Sequence, residues 1–194
     1  MSRRHLWSAR AVTRNVWGLA LLGVGLVGGQ GWASPAGNEP PAKVRLTCVG
    51  SARTVFSPAL APTSRSGSMT LSSRYGGCLS MGGQGASWAN VVTTTSAYQN
   101  FTCSDALGVS SDTVTVTWSN GEQSVLSLQP SEVDEEATTT TVSYEGRVVS
   151  GRYQGLSVVR SLTYLNADFT TRCASDTGLP ETNAFSLLVF AEVP

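Results

Sequence analysis

Chemistry in this chain has to come from carboxylates and aromatic rings, because the usual base partners are almost absent. The one histidine is His5 and the one lysine is Lys43. His5 falls in an N-terminal leader described below. The remainder therefore offers no imidazole for a Ser-His-Asp centre, a Cys-His centre or a metal site. Four acids, Glu132, Asp134, Glu135 and Glu136, crowd one short stretch, where Ca²⁺ would relieve their mutual repulsion. That run lacks the glycine and the spaced ligands of a dedicated calcium loop, and a solvated acidic connection is the preferred reading. Asp105, Asp112, Asp168 and Asp176 stand near predicted loops. Two of them facing each other across a cleft could run a glycosidase-type hydrolysis. Gly82-Gly-Gln-Gly85 has the composition of a phosphate cradle but neither the following lysine nor a strand-to-helix context.

Rings on loops offer binding rather than catalysis. Tyr75 and Trp88 flank the glycine-rich residues 76–89, with Tyr98 nearby. Such rings stack on sugars or dock a protein partner, so Tyr75 and Trp88 are the predicted ligand-binding anchors. The competing explanation is that they plug the ends of the fold.

The elements that must position these groups are strands. Val114, Val116 and Trp118 alternate with threonines, the period-2 pattern of a half-buried strand. Asn120-Gly121 marks a reversal. A three-residue turn, Ser119-Asn120-Gly121 with Gly121 left-handed, puts Leu126 and Leu128 on the face of Val114, Val116 and Trp118. A two-residue turn would put them on the threonine face, so the bulged turn is predicted. Further strands are predicted at residues 44–48, 54–57, 69–72, within 91–104, at 138–149, 156–165 and 185–193. Residues 76–89, 131–136 and 170–181 are read as connections. About nine or ten short strands without a 3.6-residue period predict an all-β antiparallel sandwich, immunoglobulin-like or jelly-roll-like. A closed β-barrel is the runner-up.

Residues 2–14 carry four arginines and no acid, and residues 16–29 are apolar. Gly31-Trp-Ala33 then supplies small residues at a cleavage position, so residues 1–33 read as a signal peptide. Ser2-Arg-Arg-His-Leu-Trp7 resembles a twin-arginine export signal but lacks its usual phenylalanine and lysine, so ordinary export is slightly favoured. Residues 34–43, with three prolines, read as a disordered lead-in, and 44–194 as a single domain. Without the leader, nine Lys and Arg face thirteen Asp and Glu, a net charge of −4. An acidic chain without a basic stripe argues against nucleic acid. No stable membrane span remains after cleavage. Cys48, Cys78, Cys103 and Cys173 all survive it, an even count that predicts two disulfides in an exported chain. Among the three connectivities, Cys78–Cys103 closes a local loop and Cys48–Cys173 ties the first strand to a late segment, and this pair is the one expected.

Cys48-Val-Gly-Ser, Phe56-Ser-Pro58, Trp118-Ser-Asn-Gly-Glu-Gln-Ser124 and Val149-Ser-Gly-Arg-Tyr-Gln-Gly155 stand in a characteristic order. Together they resemble uncharacterised small exported actinobacterial β-rich proteins. The resemblance implies a secreted β-rich domain and carries over no catalytic residue. The combined expectation is a secreted or cell-surface, non-enzymatic binding or structural module, without cofactor or metal, whose partner is a protein or a glycan. The alternative is a carboxylate-based hydrolase or a Ca²⁺-dependent lectin-like protein.

Overall fold

The computed structural model describes residues 43–81, 88–92, 96–107 and 112–192. The predicted signal peptide, the lead-in before Lys43 and the Gly82–Gly85 run lie outside the described residues. Nine strands follow one another: β1 (Lys43–Leu60), β2 (Arg65–Ser80), β3 (Ala89–Val92), β4 (Ser96–Phe101), β5 (Asp112–Trp118), β6 (Gln123–Glu135), β7 (Thr139–Gly151), β8 (Ser157–Leu165) and β9 (Leu179–Glu192).

Every pairing is antiparallel, in the order β1-β9-β8-β7-β6-β5-β3-β2, and β2 returns to pair with β1. The sheet therefore closes into an eight-stranded barrel. β3 and β4 lie end to end along β2: Ser72 pairs with Val92 and, three residues earlier on β2, Met69 pairs with Ser96. They are two pieces of one stave. This corrects the predicted sandwich in favour of its runner-up. Alternation shows that one face of each strand is buried, and that is equally true of two stacked sheets and of one sheet rolled on itself.

The predicted central hairpin is present as read. Trp118 donates its backbone N–H to the Glu122 carbonyl at 2.9 Å, Val116 pairs with Ser124, and Gly121 has φ +83°. Val114, Val116, Trp118, Leu126 and Leu128 all face inward and are buried. The second hairpin, β7–β8, is also where the pattern places it, with Gly151 at φ +83°.

Several strands run longer than predicted. Residues 44–48 and 54–57 belong to one 18-residue strand, β1, with a register shift between Val49 and Gly50. A side chain at Gly50 would collide with the Arg74 carbonyl, so the kink lies where two backbones approach closely. Pro58 sits inside β1, where the β1–β9 ladder is interrupted between Val55 and Leu60, so its missing N–H leaves no ladder bond unmade. The acidic residues 131–135 are not a connection but the far half of β6, which continues past Pro130 through another register shift. Residues 170–181 hold the end of a π-helical turn over Asp168–Arg172, a turning connection over residues 173–178 and the start of β9.

The cysteine pairs also differ from expectation: they are Cys48–Cys78 and Cys103–Cys173. Cys48 and Cys78 are direct register partners of β1 and β2, a ladder the sequence pattern did not reveal because β2 extends into the residues read as a glycine-rich loop. Cys103, in a 3₁₀ turn after β4, then reaches Cys173 beyond the π-helical turn, at the opposite end of the barrel.

Three apolar clusters fill the interior along its length. The largest holds Tyr75, Trp118 and Phe190. A second contains Val142, Leu162 and Tyr164, and a third holds Phe56, Tyr98 and Leu179 around Cys173. Outward positions are mostly Thr, Ser and charged residues.

Candidate functional site

The two predicted ligand-binding anchors do not share a surface. Tyr75 points into the barrel, 1% exposed, with its hydroxyl 2.8 Å from Ser186 Oγ. It pairs with Ala89, which also faces in, and Trp88 one residue earlier is 43% exposed. The period-2 rule that buries Tyr75 therefore separates it from Trp88. Tyr98 is buried as well, donating to the Pro58 carbonyl at 2.9 Å. The rings do not form a stacking platform.

The acids are dispersed. Glu132, Asp134, Glu135 and Glu136 are exposed along and just beyond β6. Asp105 caps its own turn, accepting from the Thr102 N–H at 2.8 Å and from Thr102 Oγ1 at 2.6 Å. Asp168 lies 3.8 Å from Arg172 one turn on, and Asp176 is exposed. Among the described residues no three His, Cys, Asp or Glu side chains gather closely enough to hold a metal ion. Glu122, at the β5–β6 turn, accepts from Asn120 Nδ2 and Arg152 Nη1, each at 2.6 Å. The Asn120 bond and then the Arg152 bond hold its carboxyl below the ordinary glutamate value.

The chemistry the sequence reading missed is inside. Between the first two apolar clusters the inward positions turn polar: Ser73 on β2, Arg160 on β8 and Ser186 on β9. Each is flanked along its own strand by apolar side chains of the two clusters, as Arg160 is by Val158 and Leu162. Arg160 is 2% exposed and donates from Nη2 to Ser73 Oγ at 2.7 Å. Its Nε has no hydrogen-bond partner. Tyr144 faces it across the β7–β8 ladder. Tyr164 lies two inward steps along β8, its hydroxyl pushed up to about 12, first by burial and then by Tyr144, with Thr54 and Arg160 pulling the other way. A cavity of about 40 Å³ opens beside this layer, bounded by Thr54, Leu71, Val142, Tyr144 and Tyr164. One signal in the sequence points to it: Val158, Arg160, Leu162 and Tyr164 occupy one alternating face, and three of the four are core residues.

At the end of the barrel where β1 begins, a groove of about 310 Å³ lies between Arg45, Met81, Tyr153, Gln154, Leu156 and Glu192. Arg45 and Glu192 form an ion pair along its edge. Tyr153, at φ +64°, packs its ring on Trp118 at 5.2 Å and on Phe190 at 5.6 Å, with Arg152 4.8 Å over the ring. Leu79 and Met81 stand out from this end, each 78% exposed.

Fold and sites together define a closed, eight-stranded antiparallel barrel with a packed interior, two disulfides and one buried guanidinium. Compared with protein families, curated proteins and solved structures, the chain matches none.

Proposed function

We propose that this chain is an exported, non-enzymatic binding module that engages a protein partner at the barrel end carrying Leu79, Met81 and Trp88. The observation that carries the reading is the exposure of these three large apolar side chains at one end, beside the Arg45–Glu192 groove. Exposed apolar residues also lie along the wall, Val49, Val159 and Phe185 among them, but three large ones at one rim beside a groove mark a contact surface. A protein is preferred to a glycan because the tyrosine in the groove has its ring engaged by Trp118, Phe190 and Arg152. What remains open is Leu79, Met81 and part of Trp88, with the Arg45–Glu192 charge at the edge, the composition of a protein interface core and rim. Two disulfides suit an oxidising compartment and support export. The hydrolase or lectin-like alternative needs acids converging on one cleft, and the described carboxylates lie on separate outer positions.

The test places a photo-crosslinking residue at Met81 and, as a control, at exposed Val133 near the other end. In the native extracellular fraction Met81 should give one discrete protease-sensitive adduct that excess unlabelled protein suppresses and excess Met81→Asp does not. Equal adducts at both positions, or none at Met81, defeat the reading. An adduct destroyed by glycosidases but not by proteases would replace the protein partner with a glycan.

A further inference from the structure

The last strand carries apolar side chains on both faces, although the barrel interior covers only one of them. Between Ala184 and Ala191 the only polar residue of β9 is Ser186. A near-continuous apolar run is the pattern of a strand covered on both sides. Leu188 and Phe190 point inward and are fully buried. Phe185 points outward and is 57% exposed, with Leu187 and Val189 half-buried on the same outer face. The register sets Val49 of β1 beside Leu187 and Val159 of β8 beside Val189, so this outer apolar patch crosses three strands. On β2 the residue opposite Val49 is Gly77, which has no side chain to cover it. β5 shows the ordinary outer face of this barrel, Thr113, Thr115 and Thr117.

Charge frames the patch at both ends. The Arg45–Glu192 pair lies at one end of the β1–β9 ladder and Arg53–Glu181 toward the other. In both pairs the arginine is on β1 and the glutamate on β9. Between the pairs, the outer faces present Thr47, Val49 and Ser51 on β1 and Phe185, Leu187 and Val189 on β9, none of them charged. This arrangement matches a second copy of itself. A two-fold axis running along the strands, midway between β1 and β9, lays β1 of one copy over β9 of the other. Arg45 then meets Glu192 of the second copy, Arg53 meets its Glu181, and Val49 packs on its Leu187. An axis running across the strands would instead set Arg45 against Arg53 and Glu181 against Glu192. Of the two axes that bring these faces together, only the first is complementary in charge, and an isologous contact requires such self-complementarity.

We propose that this chain forms a homodimer in which the outer faces of β1 and β9 pack on the same faces of a second copy about that lengthwise axis. Sheets stacked face to face keep their strands within about 30° of each other. The apolar strip of one copy therefore runs along the strip of the other, and the charged pairs close it at both ends. Trp88 lies outside this contact, and the dimer does not depend on a partner at the rim.

Sedimentation velocity of the full chain, from about 1 μM to about 1 mM, covers the affinities of small interfaces. Wild type should pass reversibly from monomer to dimer and go no further, because a two-fold contact closes on itself. Leu187→Asp should raise the dimer dissociation constant by about tenfold or more, and Trp88→Ala should leave it unchanged. Arg53→Glu alone and Glu181→Arg alone each set like charges across the axis and should each weaken the dimer, since like charges in an interface oppose it. An equimolar mixture of those two variants should dimerise again, because opposite charges then face each other between the unlike chains. The charge variants change exposed side chains, so they decide the matter if Leu187→Asp does not fold. A wild type that stays monomeric throughout, an open series of larger oligomers, or a mixture no better than its separate components overturns the proposal. Monomeric protein that floats with neutral lipid vesicles would assign the patch to a membrane surface instead and would also overturn it.

Discussion

Trp118 donates its indole N–H to Ser124 Oγ, 2.8 Å away across the hairpin that both flank, and Ser124 Oγ in turn bonds the Arg152 carbonyl. The two buried residues thus tie the β5–β6 turn to the β7–β8 turn through one hydroxyl. A tight turn alone fixes only local register. This link fixes two hairpins against each other.

Trp118→Ala should lower unfolding free energy by about 3–5 kcal/mol, as expected for truncating a fully buried large ring. Ser124→Ala leaves the indole N–H and the carbonyl without their shared partner and should cost about 1–3 kcal/mol. Urea titration measures both. A Ser124→Ala variant indistinguishable from wild type would show that the bond does not hold the hairpins together.

Gly121→Val tests the turn. Nothing lies within 4 Å of a side chain placed there, so any loss comes from forcing a β-branched residue to φ +83°. The expected cost is about 1–3 kcal/mol, and Gly121→Asn should cost less because asparagine tolerates that region. Equal stabilities for the two variants would contradict the bulged turn.

Peptide mapping of unreduced protein should recover Cys48 linked to Cys78 and Cys103 linked to Cys173, with no free thiol. The bridges close segments separated by 30 and 70 residues. Chain-entropy reasoning makes each worth roughly 3–5 kcal/mol and the longer one worth about 0.8 kcal/mol more. Paired alanine variants compared by urea unfolding give the ranking. A Cys78–Cys103 peptide would overturn the β1–β2 register.

Tyr164 gives a pH dependence with a definite sign. Its folded value is about 12 against 10.0 for the ordinary group, so the unfolded chain loses this proton first as pH rises. Stability from this residue is complete below pH 10 and drains away between 10 and 12, by about 3 kcal/mol in all. The difference in urea midpoint between wild type and Tyr164→Phe, followed across that interval, isolates it. A difference that grows in favour of wild type as pH rises would be the wrong sign.

Local pairing was legible from the residues, and global closure was not. The hairpin at Asn120-Gly121 could be read because one register buries Leu126 and Leu128 and the other exposes them. Nothing in the alternation of β1 or β2 says which strand lies on their other edge, so the barrel, the Cys48–Cys78 bridge and the length of β2 all escaped together. Gly76 and Gly77 make Tyr75 look like a loop ring, yet both glycines are strand residues. Arg160 is hidden because a single charge in an alternating strand reads as a slip of pattern. Its neighbours Val158 and Leu162 had already assigned it to the inside.

The last strand, β9, lies between β1 and β8. Both of those strands therefore present unpaired edges until Leu179–Glu192 has docked between them. Neither edge can be satisfied by anything earlier in the chain, because β8 already pairs with β7 on its other side and β1 with β2. The ladders that join β1 to β9 span most of the molecule's length in sequence, which makes their closure a late and slow event. Until then the two open edges are templates for foreign strands, so the barrel is most exposed to aggregation in the interval before the fourteen residues of β9 close it.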